Sequence, residues 1–215
     1  MKYFIIFLTF FILSCGENRD TSDFQNKSAN LPSIKIGSQE WTKQNLIVDK
    51  FRNGEDIPQA KNLEEWEDAA RKRTPAWCYP NFDKSKGDKH GKLYNFYAVI
   101  DKRGLAPHGW HIGSDDEWKE LAKEAGGKYK AGAKLKSTYG WYKDGNGIND
   151  YGFNALPTGY VGAQYMDEGR VAMFWCSSKS IDATAMGRIL KHNKNDLIRT
   201  NIIANTGASI RCVKD

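Results

Sequence analysis

From Gly152 onward the chain breaks into short β-branched or aromatic runs set apart by Gly and Asn: Gly152 to Tyr160, Val171 to Cys176, Ala185 to Leu190, Leu197 to Ile203 and Ala208 to Val213. Runs recurring every ~8 to 12 residues are spaced for antiparallel strands rather than for crossovers through helices. The first half has a different texture. Ile34, Ile36 and the residues from Trp41 to Val48 flank Gly37 and Ser38, the pattern of a hairpin. Asn62 with Glu65 three places later forms a capping-box signature, and Leu63, Trp66 and Ala70 follow at helical spacing until Pro75. Ser114 and Glu117 repeat the signature before a stripe of Trp118, Leu121, Ala122 and Ala125 that Gly126 and Gly127 close. Helices followed by a strand-rich half make the class α+β. No unit of 20 to 50 residues repeats, which excludes solenoids and propellers.

At 215 residues the chain holds one domain with a tail, and seven Trp within a 40% hydrophobic composition supply a packed core. Lys and Arg exceed Asp and Glu by six, a surplus too small and too scattered to mark a nucleic-acid surface.

Lys2 precedes an uncharged run from Tyr3 to Leu13. A spanning helix needs ~20 apolar residues, so this shorter run is the h-region of an export signal. With Ser14 directly before Cys15, the segment resembles a bacterial lipobox. That resemblance implies cleavage after residue 14, a lipid on Cys15, and a protein held at the bacterial envelope, at the outer membrane or cell surface. Residues 1–14 are then the lipoprotein signal peptide and 15–33 a polar, flexible stalk with few apolar groups. The folded domain is expected over 34–215.

Beyond Cys15 stand Cys78, Cys176 and Cys212, with no CxxC spacing among them. Three cysteines allow one bridge. Cys78 with Cys212 is the expected pair, both lying in aromatic or β-branched surroundings while Cys176 adjoins Ser177 and Ser178; three buried thiols are the alternative.

The run from Gly91 through Leu93, Tyr94, Asn95 and Phe96 to Val99, then Arg103 to Pro107 and Gly109, Trp110 and His111, resembles the signature of the Fibrobacter succinogenes major paralogous domain family. So do Pro75 to Tyr79 before it, Lys136, Ser137, Thr138, Gly140 and Trp141 after it, Gly152 to Pro157, and the ending Arg211, Cys212, Val213. The resemblance covers Ile34 to Asp215. It implies, at a greater distance, the C-type-lectin-like fold shared with formylglycine-generating enzymes, two helices beside small twisted antiparallel sheets, and supplies no activity of its own.

No catalytic constellation is legible. Copper chemistry of the formylglycine-generating kind needs closely spaced thiols, whereas Cys176 and Cys212 are far apart. His108 and His111 lack the spacing for joint ligation, and His111 is expected to make a polar contact at the start of the second helix. Asp115, Asp116 and Glu117 open that helix, where they complement its dipole. The Gly-rich loop bearing Asp144, Asn146, Asn149 and Asp150 is a weak calcium candidate, with an Asx-rich turn as the alternative. Otherwise no cofactor is expected. Lys128, Lys130, Lys134, Lys136 and Lys143 run without an intervening acid among Tyr129, Tyr139, Trp141 and Tyr142. Cations beside aromatic faces suit sugars or a protein partner, so Lys134, Lys136, Trp141, Tyr142, Tyr160 and Tyr165 are the ligand-binding candidates. A solvated loop with Trp141 packed inward is the alternative. The expected function is that of an exported, non-catalytic lectin-like lipoprotein binding a glycan or a protein at the cell surface. The competing readings are a secreted enzyme with an unrecognised site and a structural component of a surface assembly.

Overall fold

The computed structural model describes residues 31–179 and 184–215; the expected signal peptide, Cys15 and most of the expected stalk lie outside them. In chain order the elements begin with strands β1 (Ser33–Ile36) and β2 (Gln39–Thr42), helix α1 (Leu63–Lys72), β3 (Trp77–Cys78), the single turn α2 (Gly87–His90) and β4 (Leu93–Tyr94). The single turn α3 (Phe96–Val99), β5 (Trp110–Ile112), helix α4 (Asp115–Glu124) and the short α5 (Ala131–Leu135) follow. The rest is β6 (Tyr160–Val161), β7 (Tyr165–Met166), β8 (Val171–Lys179), β9 (Thr184–Lys191), β10 (Ile198–Ile203) and β11 (Cys212–Lys214). The architecture is α+β, with helices beside several small antiparallel sheets.

Capping explains the two long helices. The Asn62 side chain accepts from the Glu65 amide at 2.9 Å, while the Glu65 carboxylate reaches back one residue further than a capping box requires, to the Lys61 amide at 2.7 Å. The box at α4 is complete: the Ser114 hydroxyl accepts from the Glu117 amide, and the Glu117 carboxylate takes the Ser114 amide at 2.7 Å. Beyond its C-terminus the amides of Gly126 and Gly127 return to the carbonyls of Lys123 and Ala122, the pairing that ends a helix when the next residue turns left-handed.

The four-stranded sheet has the order β1-β2-β11-β5 and the three-stranded one β10-β9-β8. Because β11 lies between β2 and β5, the start and end of the domain close on each other, with Val213 opposite both Trp41 and His111. β8 is buried on both faces, and its alternation sorts the core. Val171, Met173 and Trp175 enter one cluster with Phe96 and Tyr94; Ala172, Phe174 and Cys176 enter a second with Trp41, Trp118 and Phe153. In the second cluster the rings of Trp41 and Trp118 stand 4.8 Å apart and those of Trp118 and Phe174 5.3 Å.

The structure alters several expectations. Ser33 also pairs with Thr42 and Leu31 packs on the core, so residues just ahead of position 34 contribute contacts to the domain. The second strand of the hairpin ends at Thr42 rather than Val48, where the chain bends at Lys43 and Gln44. The stretch from Gly152 to Tyr160 is mostly irregular: Gly152, Asn154 and Gly159 take positive φ, and only Tyr160 joins a strand. The expected Cys78–Cys212 disulfide is not formed. Cys78 packs with Trp66, Leu93 and Val161 and Cys212 in the cluster of Trp110 and Ile112, and all three described cysteines are free and buried. Burial pushes the Cys176 and Cys212 thiols up to about 12.

Candidate functional site

The last motif of the sequence, Arg211, organises the groove proposed below as the binding site. Its side chain is wholly buried, and among the described residues no carboxylate pairs with it. Nε donates to Asn45 Oδ1 at 2.8 Å, Nη1 to the carbonyls of Thr42 (2.8 Å) and Phe153 (2.7 Å), and Nη2 to that of Asn154 at 3.2 Å. Its guanidinium stacks 4.4 Å from the Phe153 ring centre. Burial pulls its pKa down to about 9, which leaves it charged at neutral pH. Asn45 extends the network, donating to the His90 carbonyl at 2.8 Å and to the Ser209 hydroxyl at 3.2 Å. A buried cation satisfied by neutral oxygens thus pins four separate segments against one another.

Above this floor runs a groove of about 220 Å³. Lys43, Gln44 and Ile47 from the segment after β2, Asp88 and Lys89 from α2, and Tyr139 line it. Gly91 allows the walls to meet: its φ is +77°, and a Cβ there would stand 2.7 Å from that of Asn45. Tyr139 is 46% exposed and Ile47 59% exposed, with Lys89 Nζ 5.6 Å from the Tyr139 ring centre. An aromatic face, an ammonium, a carboxylate and an amide therefore converge on one small concavity.

The residues expected to bind ligand do not form a single platform. Trp141 and Lys136 are buried, which corrects their assignment. The Trp141 indole donates to the Ser137 hydroxyl (3.0 Å) and the Ala155 carbonyl (3.2 Å), and Lys136 Nζ to the carbonyls of Lys194 (3.1 Å), just after β9, and of Lys191 (3.3 Å) at its end. Both hold loops in place. Tyr142 is exposed, with the Arg170 guanidinium 4.0 Å from its ring centre and His192 edge-on. Tyr160 is half-buried, and so is Tyr165, whose hydroxyl donates to the Thr158 carbonyl at 2.6 Å. Lys134 Nζ lies 3.7 Å from Asp150.

In the loop carrying the calcium candidates, Asn146 Oδ1 accepts from the Trp141 amide at 3.1 Å and Asn149 Oδ1 from the Asn154 amide at 2.7 Å. Asp144 is exposed and Asp150 faces Lys134, while the Asn146 and Asn149 side chains are each engaged by a backbone amide five residues away. Among the described residues no group of three or more His, Cys, Asp or Glu side chains converges as a metal site.

His111 makes the polar contact at the start of α4. Nε2 meets Glu117 Oε1 at 2.6 Å and Nδ1 meets Asp215 Oδ1 at 2.7 Å. Partial burial works against its charged form, yet the Asp215 and Glu117 carboxylates outweigh it and raise the pKa. Asp115 does more than complement the helix dipole. It accepts from Arg188 Nη2 at 2.7 Å, Arg199 Nε at 2.8 Å and Lys119 Nζ at 2.9 Å. Arg188 alone in the apolar run from Ala185 to Leu190 was the signal for it, since a cation inside a buried strand needs a buried counter-charge. The groove residues Lys43, Gln44, Asp88 and Lys89 left no comparable signal, because each comes from a polar stretch whose proximity to the others is purely tertiary.

No curated protein and no solved structure matches the chain. The family model of the Fibrobacter succinogenes major domain matches residues 34–214, which spans both capped helices, every strand after the first residue of β1, and the Arg211 floor. The chain belongs to the Fibrobacter succinogenes major domain family.

Proposed function

We propose that the protein is a lipid-anchored lipoprotein of the bacterial envelope whose domain, of C-type-lectin-like type, binds a glycan without catalysis. The observation that carries this reading is the half-exposed Tyr139 ring beside Lys89, Asp88 and Gln44 over the Arg211 floor. A sugar presents a C–H face that stacks on an aromatic ring and hydroxyls that pair with planar amide and carboxylate groups. The floor's hydrogen bonds hold the walls before ligand arrives, so little ordering entropy is lost on binding. Anchoring rests on the uncharged run before Cys15 and on the polar stalk. His111 supports the non-catalytic reading: both its ring nitrogens are engaged by carboxylates, leaving neither free to relay a proton to a substrate. A protein partner is the second reading, favoured by Ile47, a large apolar side chain exposed on the groove wall.

The test is a glycan array probed with the full-length protein and with Tyr139→Ala and Asp88→Asn. Binding to one class of oligosaccharide should fall at least tenfold in both variants with melting temperature unchanged. An array signal indifferent to both variants removes the groove as the site. Labelling with radioactive palmitate, abolished by Cys15→Ser, tests the anchor.

A further inference from the structure

On the far side of α4 from the His111 contact lies a second cavity, of about 300 Å³, whose walls come from α4, the loop after it, β9 and the start of β10. Its charge is one-sided: Lys119, Lys128, Arg188 and Arg199 line it against the single carboxylate of Asp196. Asp115, just beneath, is shared by three of these cations, and Lys119 pairs with Asp116 as well, at 2.8 Å, which leaves Lys128 and the outer edge of Arg199 as the charge open to a ligand. Arg188 is consumed by the protein, bonding the Asp115 carboxylate (2.7 Å) and carbonyl (2.9 Å) and the Gly187 carbonyl (3.3 Å).

Arg199 is different. Only its inner nitrogen, Nε, is used, at 2.8 and 3.1 Å from the two Asp115 oxygens. Its two terminal nitrogens have no partner among the described residues, and its side chain is 52% exposed. A guanidinium held by Nε presents its outer edge as a fixed two-pronged donor, the geometry that matches a carboxylate or sulfate. Lys128 makes no ion pair among the described residues; its ammonium stands 4.7 Å from the ring centre of Tyr129, an aromatic that is 67% exposed. Trp118, Ala122 and Leu197 give the cavity an apolar back wall. An anchored fork, an unpaired ammonium and an exposed ring at one cavity describe a receptor for an anionic group carried on a ring-shaped body.

We propose that this cavity is a second binding site, independent of the Tyr139 groove, for an acidic sugar unit: a uronate or a sulfated sugar whose anion meets the outer edge of Arg199 and Lys128 and whose ring lies on Tyr129.

Titration of the full-length protein by calorimetry with glucuronate, glucose 6-sulfate, glucose and inorganic sulfate separates the contributions. Glucuronate or glucose 6-sulfate should bind at least tenfold more tightly than glucose, and the affinity should fall as salt rises. Lys128→Gln and Arg199→Gln should each weaken binding of the acidic sugar about tenfold. Tyr129→Ala should weaken the acidic sugars and leave inorganic sulfate unchanged, whereas Tyr139→Ala should change neither. Lys128 and Tyr129 are surface side chains, so these variants remain informative if Arg199→Gln loosens α4. Equal affinity for glucose and glucuronate overturns the proposal, as does acidic-sugar binding that survives Lys128→Gln. Sulfate binding that matches that of glucose 6-sulfate, with Tyr129→Ala silent, reduces the cavity to a simple anion site and refutes the sugar assignment.

Discussion

Asp115→Asn probes the interaction that joins the opening of α4 to the three-stranded sheet. The Arg188 side chain is 2% exposed and that of Asp115 10%, so the substitution leaves a buried guanidinium without its counter-charge. Removing one partner of a buried pair costs ~3–5 kcal/mol. Arg188 keeps the Asp115 and Gly187 carbonyls, which places the expected loss at the low end, about 3 kcal/mol. In a domain of this size that corresponds to about 6–12 °C in Tm. Asp116→Asn is the control: that side chain is 90% exposed and its pair with Lys119 is a surface one, worth under about 1 kcal/mol. Arg188→Met should cost less than Asp115→Asn, because Asp115 then retains Arg199 and Lys119. The double variant should be less destabilised than the sum of the two by at least about 1 kcal/mol. Burial favours the neutral acid, but the hydrogen bonds from Arg199, Lys119 and Arg188 prevail and hold the Asp115 carboxyl well below the usual range. Its contribution is therefore present at every pH above the unfolded value near 4 and is lost only as pH falls toward the depressed folded value. The deficit of Asp115→Asn should be constant from pH 5 to 8. Urea unfolding of the wild type and the four variants provides the measurement. A loss below about 1 kcal/mol, or one equal to that of Asp116→Asn, would refute the reasoning.

Three further outcomes are expected. Gly113→Ala places a Cβ 2.7 Å from the buried Trp41 ring, and overpacking of this kind costs ~1–3 kcal/mol, readable as a lowered Tm in calorimetry; an unchanged Tm contradicts the packing described for Trp41 and Trp118. His111, its folded pKa raised above the ordinary 6.5, contributes stability that is full below that pH and fades as pH rises through the folded value, so His111→Gln should flatten the slope of unfolding free energy between pH 6 and 9. The effect should stay under about 1 kcal/mol because the ring and Asp215 are partly solvated, and a wild-type slope in the variant would show that another group sets it. Cys78, Cys176 and Cys212 should resist a thiol reagent in the native protein and all react in guanidinium; only one reactive thiol among them on unfolding without reductant would establish the bridge that the structure lacks.

The parts legible in the sequence were those whose hydrogen bonds close within a few residues. Ser114 with Glu117 and Asn62 with Glu65 announced both long helices, Gly126 with Gly127 ended one of them, and Gly37 marked the turn of the hairpin. The strands from Val171 and from Thr184 were legible as well, because a nearly continuous apolar segment must be buried wherever it lies, whereas of the run from Ala208 to Val213 only Cys212 and Val213 join a strand. Local texture failed at Gly152 to Tyr160, where positive φ values break what composition presents as a strand. It failed again at Lys136 and Trp141, where a cation beside an aromatic looks the same on a surface as in a core.

The amino-acid order by itself therefore determined the α+β class, the two capped helices and the amphipathic faces that demand a core, since these depend on neighbours three or four residues apart. Tertiary structure alone decided which polar groups meet. Asp115 reaches Arg188 across 73 residues and Asn45 reaches Arg211 across 166, and the groove over Arg211 exists only when those distant segments pack together. A buried charge takes whichever oxygen the folded backbone delivers to it, and no local pattern records that delivery.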